Sequence, residues 1–270
     1  MDSLAAVVLG LVQGITEFLP VSSSGHLVLV RELLTVDETH RLAVDAVLHL
    51  ATWLAVVIYF WRDVLTLIQT AIRKLSRLPV NERDLTLLYA VLIGTLPAIT
   101  VGFFLESMIE DYLSTAATVA VILFGVAVFF MYVEWRYYLN PPQGVLTVRR
   151  GLLIGIWQIF ALIPGVSRSG ITIVGGMLLG LSRHESARFS FLLAIPIILG
   201  VGLKKLFDLV MIGESVAWGP LAIGAVVSFV VALTVIHLFL GFIRRYTLWP
   251  FIWYSIILSL IVGYVAVFIY

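Results

Sequence analysis

One polar run is written twice in this chain, and each time it breaks an apolar stretch that would otherwise continue as helix. Gly10-Leu11-Val12-Gln13 leads to Val21-Ser22-Ser23-Ser24-Gly25-His26; 145 positions on, Gly155-Ile156-Trp157-Gln158 leads to Val166-Ser167-Arg168-Ser169-Gly170-Ile171. Each copy reads as apolar arm, proline, serine-glycine knot, apolar arm, with nine residues from the glutamine to the first serine. The arms, 4–19 with 25–34 and 151–163 with 170–180, fall short of the roughly 20 residues a helix needs to cross a bilayer. The expected structure is therefore a pair of re-entrant helical hairpins. Irregular backbone at that depth must be enclosed in protein or line a wet cavity. Interrupted segments at matching places in two halves of a membrane protein point to a binding site.

Such a reading needs a membrane, and the composition requires one. Of 270 residues 61% are hydrophobic and 12% charged, and the mean hydropathy is +1.09, outside the range of an ordinary soluble domain. Six uninterrupted stretches are long enough to span: about 41–60, 85–105, 115–134, 186–203, 218–240 and 248–269. They lack the short alternating segments of an outer-membrane barrel, so the fold class is an all-α polytopic membrane protein with six transmembrane helices plus the two hairpins. The absence of cysteine excludes disulfides, thiolate metal sites and cysteine nucleophiles. A net charge of +1 with no basic tract argues against nucleic acid as a partner. Met1-Asp2-Ser3 carries no basic region and no small-residue cleavage site follows, so the mature chain is expected to start at Met1.

Charge orients the spans, because Lys and Arg prefer short cytoplasmic loops. Twelve of the seventeen basic residues fall on one side, in the 61–84 and 135–150 loops, at Arg183 and Arg188, and at Arg244 and Arg245. Arg31, Arg41, Lys204 and Lys205 fall on the other, with the acidic stretch from Glu106 to Asp111, and Arg168 belongs to the second knot. Three full spans separate the hairpins, so the first enters from outside and the second from the cytoplasm, and the repeat is inverted. The whole of 1–270 is then one membrane domain of two interlocked repeats, about 1–134 and 146–270, whose knots meet near the midplane.

The knots carry the chemistry. Gln13 and Glu17, four apart, share a helix face. A carboxylate at this depth costs roughly 2.5–3.5 kcal/mol on translocon scales, so it belongs in a polar cavity. It serves there either as a structural hydrogen-bond partner, as a general base, or with Gln13 as an oxygen ligand for Mg²⁺ or Ca²⁺. Ser22, Ser23 and Ser24 precede the second arm, where serine is a favoured N-cap. Ser23 and His26, three apart, also suit a nucleophile and its base, and His26 could instead attack phosphorus or protonate a leaving group. In the second knot Arg168 stands between Ser167 and Ser169, with Gly165, Gly170 and Thr172 nearby: a planar fork, close backbone amides and a helix N-terminus, all suited to phosphate. The alternative is that Arg168 simply pairs with Glu17. Asp45 and His49 are four apart and serve either to steer protons or as an ordinary i,i+4 pair. His237 reads as a satisfied core histidine, Glu185, Arg183 and Arg188 as anchors at a span end, and most tryptophans, with the tyrosines, as interfacial belt.

The segments "QGITEFLPVSSSGHL" and "PGVSRSGITI", with "ARFSFLLAIP" at 187–196, resemble the bacitracin-resistance family of undecaprenyl-diphosphate phosphatases. The likeness runs through nearly the whole chain, although Gln13 takes the neutral option at a position where the family pattern admits Glu or Gln. The resemblance implies that Ser22, Ser23 and His26 belong to a catalytic centre, and that Ser167, Arg168, Ser169 and Thr172 hold a diphosphate. Ser24 and Gly170 are expected to line it too. It also implies dependence on magnesium or calcium and a site open to the periplasmic side. The activity implied is hydrolysis of undecaprenyl diphosphate to undecaprenyl phosphate and inorganic phosphate, which returns the lipid carrier to cell-wall synthesis. A polyprenyl diphosphate and the bilayer are then the partners, and a homodimer is one assembly open to such a chain. Two rival classes share features: a lipid transporter or flippase, which also uses inverted repeats, and the other lipid-phosphatase superfamily, which needs a later Ser-Arg-His-Asp spacing that this chain lacks.

Overall fold

The computed structural model describes residues 2–33, 41–113, 115–140, 142–212 and 218–268. Among these the regular structure is helical throughout: α1 Ser3–Thr16, α2 Ser23–Leu33, α3 Arg41–Tyr59, α4 Trp61–Leu75, α5 Glu82–Leu113, α6 Ala116–Leu139, α7 Val148–Ile159, α8 Arg168–Leu178, α9 Arg183–Ile212, α10 Trp218–Ile243 and α11 Trp249–Phe268, with a 3-10 turn at Phe160–Leu162. Six helices (α3, α5, α6, α9, α10 and α11) are long and apolar enough to cross a membrane, and the chain is a multi-pass membrane protein. Three expected spans, now α5, α6 and α9, gain residues at a charged end. Helix α5, for example, runs on through the acidic 106–111 stretch expected as loop, because a helix satisfies its own backbone and needs no apolar side chains to continue past the hydrocarbon.

At 1.5 Å per residue, α1 is about 21 Å long and α2 and α8 about 16 Å, well under a roughly 30 Å hydrocarbon slab. Helix α1 packs on α10 and α7 packs on α5, while α3 pairs with α9 and α6 with α11. Both short-arm contacts are made through small residues. A Cβ on Gly10 would lie 2.4 Å from the Gly224 carbonyl oxygen, and one on Gly155 2.0 Å from that of Gly94. Without a strong hydrophobic drive between helices in lipid, this close backbone approach supplies the van der Waals contact that holds each arm.

Helix α8 is enclosed: every residue from Ser169 to Met177 is buried. Beneath the knots lies an aromatic core in which the Phe191 ring packs 5.2 Å from Phe18, 6.4 Å from Phe60 and 5.9 Å from Phe239. Trp53, Trp157 and Trp249 pack against this core rather than joining a belt, whereas Trp61, Trp135, Trp218 and Trp253 are exposed as expected. The basic 61–84 loop contains a helix, α4. It exposes Trp61, Leu65, Ile68, Ile72 and Leu75 along one stripe, the pattern of a helix lying in a membrane interface.

Candidate functional site

The first knot begins where α1 stops. Glu17 caps the helix, its N–H donating to the Gln13 carbonyl at 3.0 Å, and Pro20 bars the helix from continuing through the bend. Ser22 then adopts φ 67°, a left-handed conformation that costs a residue with a Cβ of order 1–3 kcal/mol and that clusters at functional sites. Helix α2 starts at Ser23. In the second knot Gly165 takes the positive φ, 94°, at no steric cost. Ser167 is an ordinary extended N-cap whose hydroxyl accepts from the Gly170 N–H at 3.1 Å, and Arg168 opens α8 rather than sitting in a loop.

The two knots touch. Arg168 Nη2 donates to Glu17 Oε1 at 2.9 Å, and its Cζ lies 5.9 Å from the Phe18 ring centroid. The hydroxyls of Ser167 and Ser169 both donate to the Leu19 carbonyl, at 3.3 and 2.9 Å. The other Glu17 oxygen, Oε2, accepts from Gln13 Nε2 at 3.0 Å and from the Ser23 hydroxyl at 2.9 Å. Glu17 is 7% exposed, so a single buried carboxylate is shared by a guanidinium, an amide and a candidate nucleophile.

Two atoms of this cluster are buried without a hydrogen-bond partner: Arg168 Nη1 and Gln13 Oε1. An ionised carboxylate only accepts, so the Gln13 amide must turn its NH₂ toward Glu17, which leaves its carbonyl oxygen free. Leaving a buried donor or acceptor unmade costs about 1–3 kcal/mol. The orphan donor suits an anion and the orphan oxygen suits a hard cation. Gln13 and Glu17 offer oxygens of the kind magnesium or calcium takes, with both Glu17 oxygens engaged here by Arg168, Gln13 and Ser23. No cluster of three or more His, Cys, Asp or Glu gathers among the described residues, so such an ion would need further oxygens from substrate and water.

Other expected residues are placed differently. His26 does not bond Ser23. Its Nδ1 lies 2.7 Å from the Ser22 carbonyl and its Nε2 2.7 Å from the Tyr254 hydroxyl. Thr172 is fully buried, its hydroxyl meeting the Arg168 and Ser169 carbonyls and Ser190 Oγ, the last at 2.6 Å. Ser24 is exposed, 3.3 Å from Ser22 Oγ, and Gly170 lies under Phe130, whose ring a Cβ would strike at 2.5 Å. Asp45 and His49 do not pair through their side chains. His49 Nδ1 sits 2.7 Å from the Asp45 backbone carbonyl, while the Asp45 carboxylate is bonded by Arg31 and by Lys205, the latter at 2.8 Å. His237 is exposed, its Nδ1 3.3 Å from the Tyr59 hydroxyl, because its position on α10 faces outward rather than into the core.

Sequence reasoning missed Glu134, a third buried carboxylate beside Glu17 and Asp45, 1% exposed. Arg183 grips it with Nε and Nη2 at 2.8–3.1 Å, and it accepts the Leu248 N–H at 2.6 Å at the start of α11. The signal was present as one acid in an apolar helix, but its partner lies 49 positions away. Arg183 and Arg188 do act as anchors, Arg188 pairing with Asp63 of α4. Tyr254 was missed because a tyrosine near a span end reads as belt.

An Arg-Glu-Ser cluster inside an apolar helical bundle defines a membrane protein with a charged polar centre. Comparison with known sequences narrows the class: residues 6–261 match the family described as "Bacitracin resistance protein BacA", and the chain belongs to that family. It is 42% identical to the undecaprenyl-diphosphatase of Chromohalobacter salexigens, over 97% of this chain and 98% of that one. It is 40% identical to the protein of that name from Alteromonas mediterranea, over 96% and 97%, and 39% identical to the one from Renibacterium salmoninarum, over 97% and 95%.

Proposed function

We propose that this protein hydrolyses undecaprenyl diphosphate to undecaprenyl phosphate and inorganic phosphate, and so recycles the lipid carrier of cell-wall synthesis. The observation that carries the reading is Glu17, shared between the Ser23 hydroxyl and the Arg168 guanidinium. Family membership and the named relatives supply the substrate. A prenyl tail needs hydrocarbon and a diphosphate needs a polar pocket beside it, which is what the knots offer.

The residues divide the work as follows. A diphosphate entering the site takes over Arg168, whose Nη1 is already free for it, and the Glu17 carboxylate is released from its ion pair. Ser23 Oγ then attacks the terminal phosphorus as its proton passes to Glu17. The bond from that phosphorus to the bridging oxygen breaks, and its electron pair leaves on undecaprenyl phosphate. Water next displaces the serine oxygen, which recovers its proton from Glu17, and inorganic phosphate departs. Arg168 meets the charge that develops on the leaving oxygen, usually the largest catalytic contribution. A magnesium or calcium ion, where bound, would be held by Gln13 Oε1 and Glu17 and would neutralise phosphate charge.

The bacterial inner membrane is the site of action, with the pocket open to the periplasm, since the basic loops favour the cytoplasm. The two halves act as one domain built from an inverted repeat. The exchange of partners supports this: α1 packs on α10 of the other half, as α7 packs on α5, through small residues that correspond in sequence. The test is phosphate release from a long prenyl diphosphate in detergent, with and without chelator. Chelator-sensitive release with no membrane gradient is expected; absence of release, or a requirement for sealed vesicles, would overturn the assignment.

A further inference from the structure

His26 does not join the Glu17 cluster through hydrogen bonds, and its ring is held at both nitrogens. Nδ1 lies 2.7 Å from the Ser22 carbonyl oxygen. A carbonyl only accepts, so Nδ1 carries the hydrogen. In the neutral ring Nε2 is then a lone pair, and the group 2.7 Å from it, the Tyr254 hydroxyl, must donate. The two rings are parallel, with centroids 5.6 Å apart and planes 3° apart. Tyr254 belongs to α11, 228 residues away in sequence. Tyr254 is 46% exposed while His26 is 9% exposed, so the phenol reaches from the outer face of the bundle into the knot.

We propose that Tyr254 is a positioning residue for His26: its hydroxyl, donating to Nε2, reinforces the Nδ1–H tautomer that the Ser22 carbonyl sets and holds the Nε2 lone pair toward α11. The inference rests on the phosphatase reading for its consequence, though not for its geometry. Ser23 gives its hydrogen to Glu17, so His26 is not the base for Ser23. Its acceptor nitrogen is turned instead toward α11, where an arriving donor would take the place of the Tyr254 hydroxyl on the one lone pair. The imidazole of a histidine is commonly fixed in one tautomer by the bond its second nitrogen makes. Here both bonds are present, and Ser22, which supplies one of them, is the residue in the left-handed conformation.

The experiment has two arms. The first is ¹⁵N NMR of imidazole-labelled protein, with His26→Gln used to assign the signal among the five histidines. Wild type is expected to show a protonated Nδ1 and an unprotonated Nε2 on His26; the reverse tautomer overturns the proposal without any variant at the tyrosine. The second is Tyr254→Phe, which keeps the ring and deletes only the donor. Its His26 signal is expected to become a mixture of tautomers, and kcat for phosphate release to fall about tenfold with KM within about twofold. A purely structural pin between α2 and α11 would instead lower thermal stability and leave the kcat of the folded fraction unchanged, and that result overturns the proposal. A fall in kcat with the tautomer intact also overturns it, because Tyr254 would then be acting on substrate directly. If wild type released no phosphate, the functional reading would fail while the tautomer measurement still stood.

Discussion

The two knots share a sequence skeleton and are built to different tolerances. The second is an anchor: α8 is buried from Ser169 to Met177, Ser167 is a relaxed cap, and the Thr172–Ser190 bond ties it to α9. Its positive φ is carried by Gly165. The first is lightly held: Ser23 is half-buried, Ser24 exposed, and the positive φ falls on Ser22, which has a side chain to strain. The rigid knot presents the permanent charge, Arg168. The lighter one presents the groups proposed to react, Ser23 and Glu17, with His26 beside them. Strain and slack thus sit on the side proposed to make bonds, and the fixed positive charge on the side proposed to place the phosphate.

The largest effect that would break this comparison is at the anchor. Arg168→Ala is expected to lower phosphate release by on the order of 10²–10³-fold, as loss of a fixed transition-state donor does, with the protein still folded by size-exclusion; near-normal turnover would remove the arginine from the site. Ser23→Ala is expected to cost at least about 10²-fold, while Ser24→Ala, one residue on and exposed, stays within about threefold. Equal effects would mean that the hydroxyl bonded to Glu17 has no special role. In the second knot the hydroxyls should read as architecture. Thr172→Val is expected to destabilise by about 1–3 kcal/mol, since Ser190 loses a buried partner, with kcat changed less than about threefold; a large KM increase in thermally sound protein would return Thr172 to the diphosphate. The smallest effect sharpens the strain argument. Ser22→Gly should raise stability by some tenths of a kcal/mol, whereas Ser167→Ala should lower it by about 1 kcal/mol through loss of a cap. Unfolding midpoints of the two variants decide it.

The spans were legible because a run of roughly 20 apolar residues has few other uses, and the knots because the chain writes them twice. The Glu17–Arg168 pairing was foreseeable as an alternative, since both are costly charges inside hydrocarbon. What stayed hidden depends on partners that local sequence does not specify. The three-residue spacing of Ser23 and His26 suggests a pair, yet Ser22's backbone and a tyrosine on the last helix claim the ring. Asp45 and His49 have the spacing of a side-chain pair, yet Arg31 and Lys205 from α2 and α9 take the carboxylate. Helix α4 was read as a loop because its basic residues outweigh an apolar stripe that only a 3.6-residue period reveals.

The central claim is that Glu17 and Arg168, from opposite knots, work as one unit. A double-mutant cycle on phosphate release, using Glu17→Gln, Arg168→Ala and the pair, tests it directly. The double variant is predicted to be no slower than the worse single variant, because either change already dismantles the shared carboxylate-guanidinium centre. Losses that simply multiply would show two independent residues and contradict the account.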